Sequence, residues 1–298
     1  MTLHVGLDLG GTHIKTAVLS GEGENLEVRS TGSVDTGAGD GPEAVTTNLI
    51  TVGNEVIGDR PVDTVGLGVP GLFDRDSGQI LLFPNLPGDW NGFPLRERVS
   101  DGLGLGTWMI NDARAFTLAE GILGAGEGRR TVACITLGTG VGGGLMIDGR
   151  LHRGAFGVAG EIGHQTVLPD GPLCGCGNRG CLETLVRADV LAASSGRPTA
   201  SAVFEGARYG DGECVAAVAK WASYLGIGLA NVVTMFGPDC IVVGGGIAEA
   251  GDLVLGPISE AVRARVTLVP TERIDIVPAR FGRFAGAVGA ALAGATRQ

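Results

Sequence analysis

The chain has 298 residues, 44% apolar and 18% charged, enough to bury a sizeable core in one large domain or two ordinary ones. A net charge of -10 and a pI near 4.9 argue against a nucleic-acid partner, and the two lysines, Lys15 and Lys220, form no basic run. The first residues, Met1-Thr-Leu-His, lack the basic start and long apolar core of a secretory signal, and Cys134, Cys214 and Cys240 sit in apolar segments as buried thiols, so a cytoplasmic protein is expected.

Residues 3–19 read as two apolar strands joined by a glycine turn, with Asp8 at the end of the first strand and Gly10, Gly11 and Thr12 in the turn. Backbone N–H groups bared by such a turn can cradle a phosphate, and a carboxylate beside them can hold its magnesium. A plain hairpin with a Gly-Gly turn fits the same residues equally well. Residues 21–41 read as strand edge and loop, 42–57 as a helix, and 63–69 as a buried strand ending at Pro70-Gly71. The stretch 83–94, which contains Asn85, is a packed loop rich in proline and aromatic residues, and 94–99 suits a short helix. A strand over 106–110 then runs into Asn111-Asp112, with a helix expected over 113–123. Either residue can serve as the N-cap, and a carboxylate at the end of a parallel strand can also face a ligand crevice.

Residues 131–148 repeat the opening pattern of strand, glycine turn and strand, with Gly138, Thr139 and Gly140 in a turn read as reaching to Gly144. The formal G-x-G-x-x-G match at 138, 140 and 143 carries little weight, because a dinucleotide site needs a long helix where this chain has a second strand. A P-loop is excluded, since neither lysine follows a glycine. Two such hairpins can grip the phosphates of one nucleotide.

Next comes Glu161-Ile-Gly-His164, and ten residues later Cys174-Gly-Cys176-Gly-Asn-Arg-Gly-Cys181-Leu-Glu183. Three thiols and one imidazole on a short glycine-rich loop form a tetrahedral zinc set from His164, Cys174, Cys176 and Cys181, and the knot draws Glu161 and Glu183 together. Helices are expected over 182–193, 198–209 and 212–235, the last apolar enough to approach spanning length but read as a core helix. A strand over 239–243 ends in Gly244, Gly245 and Gly246, where a ribose or flat ring can approach the backbone or a tight turn simply forms. A helix over 253–266, a strand over 273–277 and a small-residue helix over 286–295 close the chain.

Together these residues resemble the ROK family of sugar kinases, within the actin and hexokinase superfamily, over nearly the whole chain. Asp8-Leu-Gly-Gly-Thr-His-Ile-Lys15 looks like the family's first phosphate motif, Leu137-Gly-Thr-Gly-Val-Gly-Gly-Gly144 like its second, and Val243-Gly-Gly-Gly-Ile247 like its adenosine turn. The resemblance implies a two-lobed, actin-like (ribonuclease H-like) α/β ATPase fold with duplicated mixed sheets flanked by helices and a zinc-tied loop. It implies a small lobe over 1–112, to which a helix at 286–298 returns, and a large lobe over 113–285. It implies Asp112 as the catalytic base, Asp8 as holder of magnesium, and Gly71, Asn85, Asn111, Glu161, His164 and Glu183 as sugar contacts, with His164 also on the structural zinc. ATP would be the donor and glucose the default acceptor; N-acetylmannosamine, N-acetylglucosamine, fructose, allose and a cyclitol are the alternatives. A homodimer or homotetramer is expected. Arg114 departs from the family, which often has asparagine there.

Three rival readings are weaker. A sugar-sensing repressor of this family carries a helix-turn-helix before the first phosphate motif, which here begins at Asp8. A zinc hydrolase keeps one coordination position open, whereas four protein ligands close it. A sugar-binding module without activity has no need of Asp112.

Overall fold

The computed structural model describes residues 2–84 and 86–297. Contacts divide the chain into two compact units, Met1–Leu123 with Arg283–Gln298, and Gly124–Gly282.

In the first unit, β1 (Leu3–Leu9), β2 (His13–Ser20) and β3 (Glu27–Asp35) form an antiparallel meander, followed by helix α1 (Gly41–Ile57) and strand β4 (Thr64–Val69). A small hairpin, β5 (Leu72–Phe73) with β6 (Ile80–Leu82), precedes α2 (Leu95–Leu103), β7 (Thr107–Asn111) and α3 (Asp112–Ile122). The sheet order is β3-β2-β1-β4-β7, with β4 and β7 parallel to β1. β3, expected only as strand edge and loop, is a full edge strand; its mostly exposed residues leave no apolar run to announce it.

The second unit repeats the plan. β8 (Thr131–Leu137), β9 (Val141–Ile147) and β10 (Arg150–His152) form its meander, and helices α4 (Glu183–Val186), α5 (Ala188–Ser194), α6 (Ala200–Arg208) and α7 (Gly212–Phe236) follow. β11 (Cys240–Gly244), α8 (Asp252–Arg263) and β12 (Asp275–Pro278) complete it, in the order β10-β9-β8-β11-β12 with β11 parallel to both β8 and β12. The turn between β8 and β9 spans only 138–140, because Gly142, Gly143 and Gly144 pair with β8 as strand. The helix expected over 182–193 is two, broken at Arg187, whose extended backbone ends α4 and caps α5. α7 starts where Asp211 accepts the Cys214 N–H at 2.9 Å and stops at Gly237 in the left-handed region. By length and composition it could cross a membrane, yet Trp221, Leu225 and Leu229 lie in this unit's core.

The last helix, α9 (Ala285–Thr296), belongs to the first unit. Its alanines and glycines let its backbone lie directly on the sheet: a Cβ at Gly66 of β4 would fall 1.7 Å from the Ala290 carbonyl oxygen. α3 joins it just as closely, since a Cβ at Gly289 would meet the Ala115 carbonyl at the same 1.7 Å. This packing is why the division falls at Leu123, after α3, and not after residue 112. Gly66→Ala should therefore cost stability at or beyond the upper end of the ~1–3 kcal/mol usual for overpacking. Thermal unfolding would show it as a melting temperature several degrees lower; an unchanged value would mean that α9 yields without cost.

Candidate active site and metal centre

In the first unit the candidate residues line the carboxyl edge of the parallel strands β1, β4 and β7, where α/β sheets place ligands. Asp8 pairs in register with Gly68, and Val69 with Asn111. The turn after Asp8 is closed by the Gly10 N–H donating to the His13 carbonyl at 3.0 Å, and Gly11 and Thr12 are exposed at its tip. Lys15 reaches Asp8 Oδ2 at 3.4 Å. Burial pushes the Asp8 carboxyl up from its ordinary range, and the Lys15 ammonium pulls it back. The first turn of α9 also abuts this carboxylate, since a Cβ at Gly286 would lie 2.5 Å from Asp8 Oδ2. A helix N-terminus favours negative charge there.

The cap of α3 is Asn111. Its Oδ1 accepts from the Ala113 and Arg114 N–H groups at 3.1 and 3.3 Å, and its Nδ2 donates to the Gly71 carbonyl at 3.1 Å. Asp112, the first helical residue, is exposed, and its Oδ1 accepts from the Ala113 N–H at 2.8 Å. The structure thus brings Gly71, Asn111 and Asp112 together. Asn85 lies outside the described residues.

In the second unit, Gly138 and Thr139 of the β8–β9 turn and Gly246 after β11 line one cavity of about 540 Å³. Gly244 ends β11 inside the sheet, and Gly245 follows with φ +87°. The cavity's other wall is α6, through Thr199, Ser201, Phe204, Glu205 and Arg208. A Gly-rich turn, a glycine two residues past the end of β11 and a helix face with hydroxyl and charged groups suit a nucleotide. The Gly140 end of the turn meets Glu183, whose Oε2 accepts the Val141 N–H at 2.8 Å.

The same unit carries the metal set. The ligand atoms of His164, Cys174, Cys176 and Cys181 all lie within 4.8 Å of one another. Cys176 Sγ and Cys181 Sγ are 3.7 Å apart, and Cys174 Sγ and His164 Nδ1 are 3.6 Å apart. Zinc–sulfur bonds of about 2.3 Å in a tetrahedron require sulfurs roughly 3.8 Å apart, so the four atoms fit that ion. The loop is shaped for it: Cys174 N–H donates to the Asn178 carbonyl at 2.7 Å, and single bridges pair Leu173 with Arg179 and Thr166 with Cys181. Burial pushes the Cys181 thiol up to about 12 and the Cys174 thiol upward, whereas the Asn178 backbone N–H lowers Cys176. Metal binding deprotonates thiol ligands, so a cation at this point would hold all three as thiolates. Glu161 precedes the 3-10 turn Ile162–His164 and its carbonyl accepts the His164 N–H at 3.0 Å, while Glu183 Oε1 is 3.9 Å from Cys174 Sγ.

A profile of the ROK family matches residues 4–296. The chain belongs to the ROK family. It is 36% identical to a glucokinase of Streptomyces coelicolor, covering 98% of this chain and 97% of that protein. Among solved structures, a ROK hexokinase from Thermus thermophilus superposes with a TM-score of 0.84 at 35% identity, over 99% of this chain and 98% of that one. A ROK family glucokinase from Streptomyces griseus, solved with glucose and AMPPNP, gives 0.82 at 35% identity over 99% of each chain. The actin-like fold expected from the sequence is the fold of this ROK chain.

Two features of the ROK chain escaped sequence reasoning. Residues 198–209 are expected only as a helix, although Ser201, Glu205 and Arg208 recur at i, i+4 and i+7, the spacing of one helical face, and line the cavity. Arg114, the departure from the family pattern, is buried with 3% exposure, and its Nη1 reaches Asn111 Oδ1 at 3.5 Å.

Proposed function

We propose that the protein is an ATP-dependent glucokinase, moving the γ-phosphoryl group of ATP to a glucose hydroxyl to give glucose 6-phosphate. The full-length likeness to glucokinases carries this reading. Asp112 takes the proton of the attacking hydroxyl as its oxygen bonds to phosphorus and the bond to the ADP oxygen breaks. Asn111 orients that hydroxyl's sugar. Its Oδ1 is occupied by helix N–H groups and one amide hydrogen by Gly71, so the second amide hydrogen is left to donate to a sugar oxygen. Gly71, Asn85, Glu161, His164 and Glu183 supply the remaining sugar contacts. With Nδ1 toward the cluster, His164 keeps Nε2 for that role.

On the nucleotide side, Gly10, Gly11 and Thr12 with Gly138, Thr139 and Gly140 position the phosphates, and Gly244, Gly245 and Gly246 pass beside the adenosine. Positioning and preorganised dipoles supply most of the rate in such transfers. Magnesium, which Asp8 would hold, supplies neutralising charge at the phosphates. His164, Cys174, Cys176 and Cys181 would hold zinc, which would order the loop. The acidic chain works in the cytoplasm, as a homodimer or homotetramer.

ADP release with ATP and magnesium, measured against a dozen sugars, tests the reading. Glucose should give the highest kcat/KM. No stimulation by any sugar above the blank would end the kinase reading, and a response to amino sugars or a polyol alone would keep the kinase and remove glucose.

A further inference from the structure

We propose that Glu183 is a positioning residue that ties the metal cluster to the second phosphate turn, so that metal occupancy and nucleotide binding are coupled inside the second unit. The proposal deepens the kinase reading and rests on it only for what the turn holds.

Glu183 follows the ligand Cys181 by two residues, and its two oxygens face in different directions. Oε1 lies 3.9 Å from Cys174 Sγ, and Oε2 accepts the Val141 N–H at 2.8 Å, at the point where the turn 138–140 enters β9. The fit is close, since a Cβ on Gly140 would sit 2.8 Å from Oε2. The other side of Val141 is held by the residue next to the ligand His164: a Cβ on Gly163 would fall 2.0 Å from the Val141 carbonyl oxygen. The segment after Cys181 grips the turn a second time, where the Ala188 N–H donates to the Gly138 carbonyl at 2.8 Å. The ligand-bearing segments are themselves joined by the Leu182 N–H donating to the Gln165 carbonyl at 2.9 Å.

Val141 is therefore clamped from both flanks by residues whose places are set by the four metal ligands. A carboxylate on a backbone N–H is among the stronger neutral-to-charged hydrogen bonds, and it aims the turn without touching the nucleotide. A loosened cluster frees the Glu183 carboxylate and Gly163 together, and the turn loses both restraints. Sugar recognition by Glu183 is compatible with this arrangement, because a carboxylate oxygen has two lone pairs.

Two measurements on the full zinc-loaded chain decide the matter: hydrogen exchange at the Val141 amide, and titration with magnesium ADP in the absence of sugar. Glu183→Ala should raise Val141 exchange and weaken ADP binding, each by about tenfold, the scale of one hydrogen bond to a charged group. Glu183→Gln, whose amide oxygen still accepts, should recover most of both. Chelation of zinc from the wild type should raise Val141 exchange as the Ala variant does. Val141 exchange and ADP affinity staying within about twofold in Glu183→Ala would overturn the proposal, as would chelation that leaves Val141 protected. Should the Ala variant not fold, the Gln variant and the chelation arm still decide. A wild type that binds no nucleotide would sink the kinase reading, while Val141 exchange would continue to report on the coupling.

Discussion

Asp112→Asn should fold with a near-normal melting temperature, bind magnesium ATP normally and turn over at least about a hundredfold more slowly. A positioned general base is worth roughly 10²–10⁴ in rate, or ~3–5 kcal/mol of barrier. The cap of α3 does not depend on the residue. Asn111 caps the helix, and the Ala113 N–H donates to Asp112 Oδ1, an atom that asparagine keeps. Asn111→Ala makes the contrast. It removes the cap, at ~1 kcal/mol of stability, and releases Gly71, so it should lower the melting temperature and raise the KM for sugar. Retention of more than about a tenth of kcat by Asp112→Asn, a smaller loss than removal of a general base causes, would refute the base assignment. The search would then move to Glu161 and Glu183.

The second large effect is expected from the metal. Purified protein should carry one zinc per chain, and Cys181→Ser should lose it with a marked drop in melting temperature and weaker sugar binding. Structural zinc in small domains is worth ~10–16 kcal/mol of apparent binding energy, all of it linked to order in the liganding loop. Cys181 is fully buried, and its sulfur also accompanies the His164 carbonyl at 3.4 Å, so the substitution disturbs the centre of the knot. Cys214→Ala gives the comparison. Its thiol lies in the core against Arg197 Nε at 3.4 Å, well apart from the cluster in sequence, and its loss should leave zinc content at one equivalent. Full activity with well under one equivalent of zinc would show that the four ligands do not serve a resident metal.

What could be read from the sequence was chemistry carried by rare residue types at short range. Three of the six cysteines beside a histidine point to a metal set whatever the fold around them, and the structure brings the candidate ligand atoms within 4.8 Å of one another. Strand, Gly turn and strand is likewise a local pattern, and both copies form. Less was legible where a tertiary neighbour decides. The spacing of Ser201, Glu205 and Arg208 marks one polar face of α6, but what that face looks into is set by the β8–β9 turn and the glycines after β11, both distant in sequence. The lobe boundary was placed at the end of a strand, but α9 claims α3 through contacts between residues near 115 and 289. The cap of α3 was ambiguous between two adjacent good cap residues, and only backbone geometry chooses: Asn111 is extended and Asp112 helical. The glycines at 142–144 read as turn because β propensity disfavours them, yet pairing with β8 overrides that preference.

The return of α9 to the first unit has a consequence for how the chain is made. Translation delivers residues 1–123 first, but the sheet face carrying Gly6 and Gly66 stays uncovered until the helix at 285–296 has left the ribosome. In the interval the second unit, one continuous stretch from Gly124 to Gly282, emerges whole and holds every strand of its own sheet. Domains tend to fold as they are synthesised, and unfinished apolar faces are what chaperones bind. The early sheet is such a face. The half of the chain that is made first is the half that finishes last.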